Sequence, residues 1–370
     1  MFDEAKMKEP IKVLIVDDSA LVRKMLTDLL NQHAEIEVVG TAQDGSFVMQ
    51  KLQSLKPDVI TLDVEMRNTG GLEILPEIVK VSQVPVIMVS AHTERGAEST
   101  LKALELGAFD FVTKPQAGGS DIQQIAEELT GTIIMAGRNK RRSRPVAAAP
   151  PKAPPRRAPV NVQPARQRVG TIDLIAIGAS TGGTEAIKEI LVRLPNTLPG
   201  IVITQHMPAG FTQAFAQRLN SLCQIAVAEG SEGAPITPGT AYIAPGGKHM
   251  EVVRAGGGYK LRISESPPVN RHRPSVDVLF DSVSKVAGRR ALGALLTGMG
   301  ADGARGLLQM KQTGAMTIGQ DEATCVVYGM PREAAHLGAV SQVLPLQQIA
   351  SFLVKSVSSN GSQSRVASAR

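Results

Sequence analysis

The chain of 370 residues is poor in aromatic side chains, with no tryptophan, three tyrosines and eight phenylalanines. Binders of single-stranded nucleic acid use aromatic side chains as platforms for base stacking, so this composition argues against that class of protein. Cysteine is scarce as well: Cys223 and Cys325 are the only two, and they show no CxxC spacing. We therefore expect neither a disulfide framework nor a thiolate zinc site, and a reducing cytoplasm fits best.

Long apolar runs are missing too. The charged N-terminal segment MFDEAKMKEP lacks the apolar region of a signal peptide, and no run approaches the roughly 18 apolar residues of a membrane-spanning helix. No membrane insertion is expected. The apolar fraction of 43% and the charged fraction of 20% are ordinary for a globular protein, and the length suggests two or three domains.

Acidic residues are absent from one segment, residues 138–168, which holds ten lysines or arginines and seven of the 23 prolines. This segment contributes +10 to a formal net charge of +6, so the rest of the chain carries −4. Such a proline-rich, self-repelling segment cannot bury a core. We interpret residues 138–169 as a linker between domains at 11–137 and 170–356, and we expect residues 357–370 to form a disordered tail.

In the N-terminal part, continuous apolar segments alternate with amphipathic helical patterns. This alternation predicts a doubly wound α/β domain, with a parallel sheet that helices cover on both faces. In such sheets the functional groups gather at the carboxyl ends of the strands. The predicted strands read IKVLIV, IEVVG, PDVITL, PVIMVS and FDFV.

Polar side chains follow four of these strands, namely Asp17 and Asp18, Asp63, Ser90, and Lys114. Three carboxylates at one edge repel one another unless a cation compensates them, and an oxygen-only ligand set with open positions suits Mg²⁺. Lys114 supplies a positive charge for an anion, and Ser90 supplies a hydroxyl. The pattern predicts phosphoryl transfer onto a carboxylate.

This constellation resembles the receiver domain of two-component response regulators. The resemblance implies that Asp63 accepts the phosphoryl group. It also implies a Mg²⁺ site and a conformational switch. The implied metal ligands are Asp17, Asp18, Asp63 and the carbonyl of Glu65, and the implied switch residues are Ser90, Phe111 and Lys114.

The sequence departs from the receiver pattern just after the predicted acceptor. The family usually continues Pro-x-Met-Asp-Gly, whereas here Arg67-Asn68-Thr69-Gly70 precedes Gly71. The spacing from Asp63 to Gly71 is kept, so the departure concerns the loop rather than the chemistry.

A second α/β pattern, Rossmann-like in its alternation, begins near Thr171. The segment DLIAIGA predicts a buried strand that turns into a helix at Ser180. GIVIT and RALGALLTG predict two further strands, which end shortly before His206 and Asp302. The segment AYIAP and the pair EVVRA and YKLRI are typical of β-hairpins.

The turn at Gly178 allows several interpretations. A dinucleotide-binding loop needs glycine where Ser180 stands, and the acidic residue expected after the next strand is replaced by Gln205 and His206. A P-loop needs a lysine that is missing. Gly178-x-Ser180-x-Gly182 does match a nucleophile elbow, which places a serine hydroxyl between glycines. The turn alone leaves open whether Ser180 is a nucleophile or caps the helix.

Two partners favour the nucleophile. A serine hydroxyl needs an imidazole to take its proton, and the imidazole needs a carboxylate to fix its tautomer. His206 and Asp302 follow two other predicted strands, so both are expected at the same sheet edge as Ser180. The order Ser…His…Asp differs from that of α/β-hydrolases, but triads are recognised by geometry. Backbone N–H groups at Thr181 or in the Met299 loop are the candidates for an oxyanion hole.

Several motifs together resemble the chemotaxis-type protein-glutamate methylesterases (the CheB family), in which a receiver precedes the esterase domain. The motifs are IGASTGG, TQHMP, YIAPGGKHM, HRPSVDVLF, LLTGMGADGA and CVVYGMPREA. The resemblance implies a Ser180 nucleophile, a His206 general base and acid, and an orienting Asp302.

The same resemblance implies a biological setting. The substrates would be glutamate γ-methyl esters on chemoreceptor helices, with methanol as a product, and receptor glutamines would be deamidated as well. A chemotaxis histidine kinase would donate the phosphoryl group, with Mg²⁺ required for that step and no cofactor for the ester chemistry.

Two other classes of function remain as alternatives. A response regulator with a DNA-binding output would use the basic linker, but the C-terminal part shows no helix-turn-helix pattern, and the basic stretch is proline-rich. A nucleotide-binding module is disfavoured by Ser180 and Gln205. No nucleic-acid partner is therefore expected.

Overall fold

The computed structural model describes residues 9–91, 93–114, 122–143 and 172–364, so most of the predicted linker lies outside the described residues. The N-terminal domain contains a five-stranded parallel sheet in the order β2-β1-β3-β4-β5. The strands are β1 (Ile11–Val16), β2 (Ile36–Ala42), β3 (Val59–Asp63), β4 (Val86–Ser90) and β5 (Asp110–Thr113). The helices are α1 (Ala20–Leu30), α2 (Val48–Leu55), α3 (Gly71–Val81), α4 (Glu94–Glu105) and α5 (Ile122–Ser143).

Alternating residues of β1 enter two different cores, because successive side chains of a strand point to opposite faces. Leu14 and Val16 pack into the core that contains residues of α2, α3 and α4. Val13 and Ile15 pack with residues of α1 and α5. The sheet is thus covered on both faces, which confirms the doubly wound fold.

The C-terminal domain contains a seven-stranded parallel sheet in the order β14-β13-β12-β6-β7-β9-β8, together with a β10–β11 antiparallel hairpin. The strands are β6 (Leu174–Ala179), β7 (Gly200–Gln205), β8 (Ala226–Glu229), β9 (Thr240–Ile243), β10 (His249–Ala255), β11 (Gly258–Ser264), β12 (Ala291–Leu295), β13 (Met316–Gln320) and β14 (Gln342–Leu344). The helices are α6 (Gly183–Leu191), α7 (Phe211–Leu222), α8 (Val276–Ala287), α9 (Ala304–Gln312), α10 (Met330–His336) and α11 (Leu346–Ser364).

Strand β6 lies between β12 and β7, so the segments that follow these three strands meet at one edge of the sheet. Every residue of the three strands is buried, as expected for a parallel sheet covered on both faces. The α/β fold predicted for this half is confirmed. None of the helices in the described ranges is both long and apolar enough to cross a membrane.

The structure differs from the sequence-based expectation in three places. The segment AYIAP contributes β9 to the parallel sheet, not a hairpin, because it pairs with β7 on one side and β8 on the other. Helix α5 continues to Ser143, past the predicted domain end at 137, since arginine and lysine favour helices and suit a helix C-terminus. Helix α11 continues to Ser364, into the predicted tail, because Leu353 and Val357 anchor it to the core.

Candidate active site

Ser180 lies immediately after β6, in the turn that leads into α6. The helix is capped by Gly182, whose φ of +75° is the left-handed conformation that glycine adopts readily, and no side chain caps it. The cap interpretation of Ser180 is therefore wrong. Among the described residues, the positive-φ residues other than glycine are Lys56, Asn270 and Arg271, so Ser180 itself is not strained as the serine of a nucleophile elbow is.

His206 follows β7 and lies beside Ser180. The hydroxyl oxygen of Ser180 is 3.2 Å from Nδ1 of His206, and the backbone N–H of His206 donates to Ala179 at 3.2 Å. The side-chain amide of Gln205 donates to the carbonyls of Ser180 and His206 at 3.0 and 3.1 Å. Gln205, which the sequence offered only as evidence against nucleotide binding, thus ties the two segments together.

Asp302 follows β12 and completes the chain of contacts. Its Oδ2 accepts a hydrogen bond of 2.8 Å from Nε2–H of His206. Further donors surround the buried carboxylate: the Asn270 amide at 2.7 Å, the Ser275 hydroxyl at 2.8 Å, and the backbone N–H groups of Val276 and Asp277 at 2.6 and 3.3 Å.

These contacts keep Asp302 ionised. Burial alone opposes the charge, but the hydrogen bond from His206, with those from Asn270 and Val276, holds the pKa of Asp302 well below its usual value. Val276 is the first residue of α8, whose N-terminus favours a negative charge. An ionised Asp302 fixes the proton of neutral His206 on Nε2, which leaves Nδ1 free to accept the proton of Ser180.

His272 packs face to face on His206, with ring centroids 3.7 Å apart and an angle of 13° between the rings. Burial, followed by the charge of nearby His206, lowers the pKa of His272 to about 4, so this second imidazole is neutral at pH 7. Sequence analysis assigned His272 no role, because it stands between Arg271 and Arg273 rather than after a predicted strand. The backbone of the preceding residues, Asn270 and Arg271, places His272 beside His206, and hydrophobic periodicity does not predict that conformation.

Thr181 and Met299, the candidates for the oxyanion hole, flank the serine on two different loops. Within the described residues, neither backbone N–H donates to another protein group. Thr297 holds the two loops together, because its hydroxyl donates to the Thr181 carbonyl at 2.9 Å and its backbone carbonyl accepts from Ser180 at 3.0 Å. Two N–H groups near the serine are thus available for an oxyanion.

The carboxylates predicted from the N-terminal strands also come together. Asp17, Asp18 and Asp63 each offer a ligand oxygen, and these atoms lie within 4.8 Å of one another. The ammonium of Lys114 lies 2.6 Å from Asp63 Oδ2 and 2.9 Å from Asp17 Oδ2. Burial raises the pKa of Asp63 to about 6 despite the hydrogen bond from Lys114. This oxygen-only donor set fits Mg²⁺.

The loop after Asp63 is held in spite of its unusual sequence. The Glu65 backbone N–H donates to Asp63 Oδ1 at 3.1 Å, and Arg67 pairs with Asp18 at 3.5 Å. A Cβ at position 71 would stand 2.0 Å from the carbonyl oxygen of Asp63, so the glycine kept there is sterically required. The arrangement leaves the metal-ligand role of the Glu65 carbonyl a prediction.

The three predicted switch residues lie in different surroundings, and Lys114 belongs to the carboxylate site itself. Ser90 is buried, and its hydroxyl donates to the Gly96 carbonyl at 3.2 Å. The ring of Phe111 stacks on Phe211, the first residue of α7, with centroids 4.9 Å apart. One of the predicted switch residues is therefore part of the contact between the domains.

Polar contacts also join the two domains. Arg218 binds Glu105 through two hydrogen bonds of 3.0 and 2.9 Å. The Thr181 hydroxyl donates to the carboxylate of Asp110. Glu127 on α5 pairs with Arg271 at 3.6 Å. Helices α4 and α5 and strand β5 of the N-terminal domain thus lie against the face that carries Ser180.

Comparison with known proteins gives the same two-part division. The receiver family of response regulators matches residues 13–127, and the CheB methylesterase family matches residues 175–353. A protein-glutamate methylesterase/protein-glutamine glutaminase of Salmonella typhimurium is 50% identical over 348 residues, 94% of this chain and 97% of that protein. A Pseudomonas aeruginosa protein of the same description, numbered 2, is 49% identical over 358 residues, 96% of this chain and 100% of that one. The solved catalytic domain of Thermotoga maritima CheB methylesterase is 36% identical, with a TM-score of 0.49, and spans 50% of this chain and 98% of its own.

Proposed function

The chain belongs to the CheB methylesterase family, and from that premise we propose that it is a phosphorylation-regulated protein-glutamate methylesterase and protein-glutamine glutaminase that uses Ser180, His206 and Asp302. The observation that carries the proposal is the continuous chain of contacts from the Ser180 hydroxyl through both nitrogens of His206 to buried Asp302.

The first half of the reaction forms an acyl-enzyme. His206 Nδ1 takes the hydroxyl proton as Ser180 Oγ attacks the carbonyl carbon of the γ-methyl ester, while Asp302 stabilises the imidazolium. The N–H groups of Thr181 and Met299 are the proposed donors to the oxyanion of the tetrahedral intermediate. The intermediate collapses by breaking the bond to the methoxy oxygen, which leaves as methanol with the proton from His206.

The second half restores the serine. His206 removes a proton from water, the hydroxide attacks the acyl carbon, and the Ser180 oxygen leaves with that proton, so the product is a glutamate carboxylate. A glutamine side chain follows the same route, except that ammonia replaces methanol as the leaving group. No cofactor takes part in this scheme.

Asp63 is the proposed phosphoryl acceptor. Its carboxylate attacks the phosphorus of a phosphohistidine, whose imidazole leaves, and Lys114 neutralises charge on the transferred oxygens. Asp17, Asp18, Asp63 and the Glu65 carbonyl are the proposed holders of Mg²⁺, which supplies charge neutralisation when bound. The implied partners are a chemotaxis histidine kinase as phosphodonor and chemoreceptor cytoplasmic helices as substrates, and the location is the cytoplasm.

Phosphorylation is proposed to act by moving the receiver off the esterase face. Two contacts support this: the proposed switch residue Phe111 stacks on Phe211, and Glu105, at the end of α4, accepts a hydrogen bond from Arg218. The test is methanol release from methylated receptor, measured with and without a small phosphodonor and Mg²⁺. We expect release that the phosphodonor increases; no release under either condition would overturn the proposal.

A further inference from the structure

A tight turn beside the active site carries an arginine where glycine is the easier residue. Val269 and His272 exchange two backbone hydrogen bonds, of 3.1 and 2.9 Å, around the central residues Asn270 and Arg271. Both central residues have positive φ, +52° and +69°, which is the signature of a type I′ turn. Asparagine suits the first central position, but the second strongly favours glycine, so the arginine strains the backbone.

The turn is fixed to the triad on both sides of this arginine. Asn270 donates to Asp302, and His272 stacks on His206. Arg271 therefore has a set position relative to the reacting serine, while its side chain is 89% exposed. Strain that persists at such a place is a reason to look for a function of the side chain.

One face of helix α5 of the receiver lies against Arg271 and Met299, two residues beside the active site. Glu127 pairs with Arg271 at 3.6 Å, and a Cβ at Gly131 would lie 3.1 Å from the terminal carbon of Met299. Positions 127 and 131 are four apart and so lie on the same side of the helix. Arg271 thus contacts the carboxylate of Glu127, and one helical turn later the small Gly131 lets the helix backbone come close to Met299.

We propose that Arg271 is an acid-binding subsite of the esterase, which binds a carboxylate one helical turn from the scissile ester on the substrate helix. In the unphosphorylated protein, Glu127 of α5 occupies the same subsite and mimics that helix. The inference rests on the proposed function. A guanidinium suits this role because its planar fork binds carboxylates with two parallel hydrogen bonds.

The test uses the full chain, phosphodonor with Mg²⁺, and two methylated receptor fragments. In one fragment the acidic residues one turn before and after the methylated glutamate are kept, and in the other they are replaced by glutamine. For the unsubstituted enzyme we expect a KM about two- to five-fold lower for the acidic fragment, the size typical of an exposed ion pair. Arg271→Gln should remove this preference and leave kcat little changed.

Arg271→Gly separates binding from a merely structural role. Glycine fits the turn better than arginine, so a structural role predicts no loss, whereas a binding role predicts the same loss of preference as in Arg271→Gln. Arg262→Gln is the matched control, because Arg262 pairs with Glu251 within the β10–β11 hairpin. It should keep the preference.

Glu127→Gln tests the mimicry. It should raise the activity of the unphosphorylated protein about two- to five-fold and leave the phosphorylated protein unchanged. Equal KM values of the unsubstituted enzyme for the two fragments, or a preference that survives Arg271→Gly, would overturn the subsite, and an unchanged resting activity in Glu127→Gln would overturn the mimicry. Failure of the proposed function looks different, since neither fragment would then release methanol.

Discussion

The hydroxyl of Thr181, the residue after the proposed nucleophile, donates a hydrogen bond to the carboxylate of Asp110, the residue before the proposed switch residue Phe111. This bond crosses from the turn after β6 to the first residue of β5, and so from one domain to the other. The backbone N–H of Thr181 is also a proposed oxyanion donor. A movement of Phe111 would therefore reach Thr181, the neighbour of Ser180, through the hydrogen bond to Asp110.

Inhibition by the unphosphorylated receiver should weaken as the pH rises through about 6. Burial raises the pKa of Asp110 from 3.8 to about 6, so the docked arrangement binds a proton there more tightly than an exposed carboxyl does. A raised pKa stabilises the buried state at low pH, and this contribution is lost as the pH rises through the raised value. The activity of a fragment of residues 170–370, divided by that of the full chain, should fall between about pH 5 and 7.5.

Asp110→Asn is the control for this assignment. The amide cannot ionise, so the ratio of fragment to full-chain methanol release should depend less on pH in this variant. A ratio that is independent of pH in the unsubstituted protein would contradict the role of Asp110.

Replacing His272 should not change how the activity of the isolated esterase fragment depends on pH between about 5 and 8. The pKa of Asp302 is held well below its usual value and burial lowers that of His272 to about 4, so neither group changes charge in this range. Methanol release by His272→Gln, divided by that of the unsubstituted fragment, should therefore be the same at every pH in the range. A ratio that varies with pH would show that His272 changes charge there.

Substitution of the triad should remove hydrolysis without affecting the receiver. Ser180→Ala and His206→Gln should each reduce methanol release by on the order of 10⁴-fold or more, and the double variant should lose little further because the two act as one unit. Asp302→Asn should be severe but milder, since this residue orients rather than reacts. Circular dichroism and phosphorylation of Asp63 should stay unchanged. Near-normal methanol release from Ser180→Ala would rule out the triad.

Phosphorylation should depend on Asp63 and on a divalent cation. Asp63→Asn removes the attacking carboxylate, so uptake of phosphate from a small-molecule donor should fall to background. Chelation of Mg²⁺ should have the same effect, because the cation that Asp17 and Asp18 would hold is then missing and negative charge on the phosphodonor is not neutralised. Ser180→Ala serves as the control that phosphorylates normally. Uptake that survives in Asp63→Asn would mean that the acceptor is another residue.

The site residues that follow strands could be predicted from the sequence for a physical reason. Buried parallel strands appear as continuous apolar runs, and their carboxyl ends meet at one edge, so Ser180, His206 and Asp302 were expected together before any contact was known. The same reasoning assembled Asp63 and Lys114. Strands β8, β13 and β14 were not predicted, because their short segments carry no clear period.

Contacts made by loops, and contacts between the domains, could not be predicted from the sequence in this way. Asn270 and His272 reach the triad through two left-handed residues, which local propensity does not predict for asparagine followed by arginine. The stacking of Phe111 on Phe211 depends on how two separately folded units meet, and no periodicity encodes that. Sequence patterns thus predicted which groups come together at each site, but not what holds or covers them.

The last prediction concerns the coupling between the domains. The described contacts place α4, β5 and α5 against the face that carries Ser180, with Arg218 bound to Glu105 and Phe111 stacked on Phe211. Both domains belong to one chain, so this docking is intramolecular and even a weak interface keeps much of the population closed. Phosphorylation of Asp63 is expected to shift that population toward an open arrangement.

The fragment of residues 170–370 should therefore release methanol faster than the unphosphorylated full chain at equal concentration, and phosphodonor should accelerate only the full chain, because the fragment lacks Asp63.

Within the full chain, Glu105→Gln should raise the resting rate by weakening the contact with Arg218, whereas Glu251→Gln, which breaks the Arg262 pair inside one domain, should not. Equal rates for fragment and full chain without phosphodonor would exclude occlusion as the means of control, and phosphorylation would then have to act on the esterase without uncovering it.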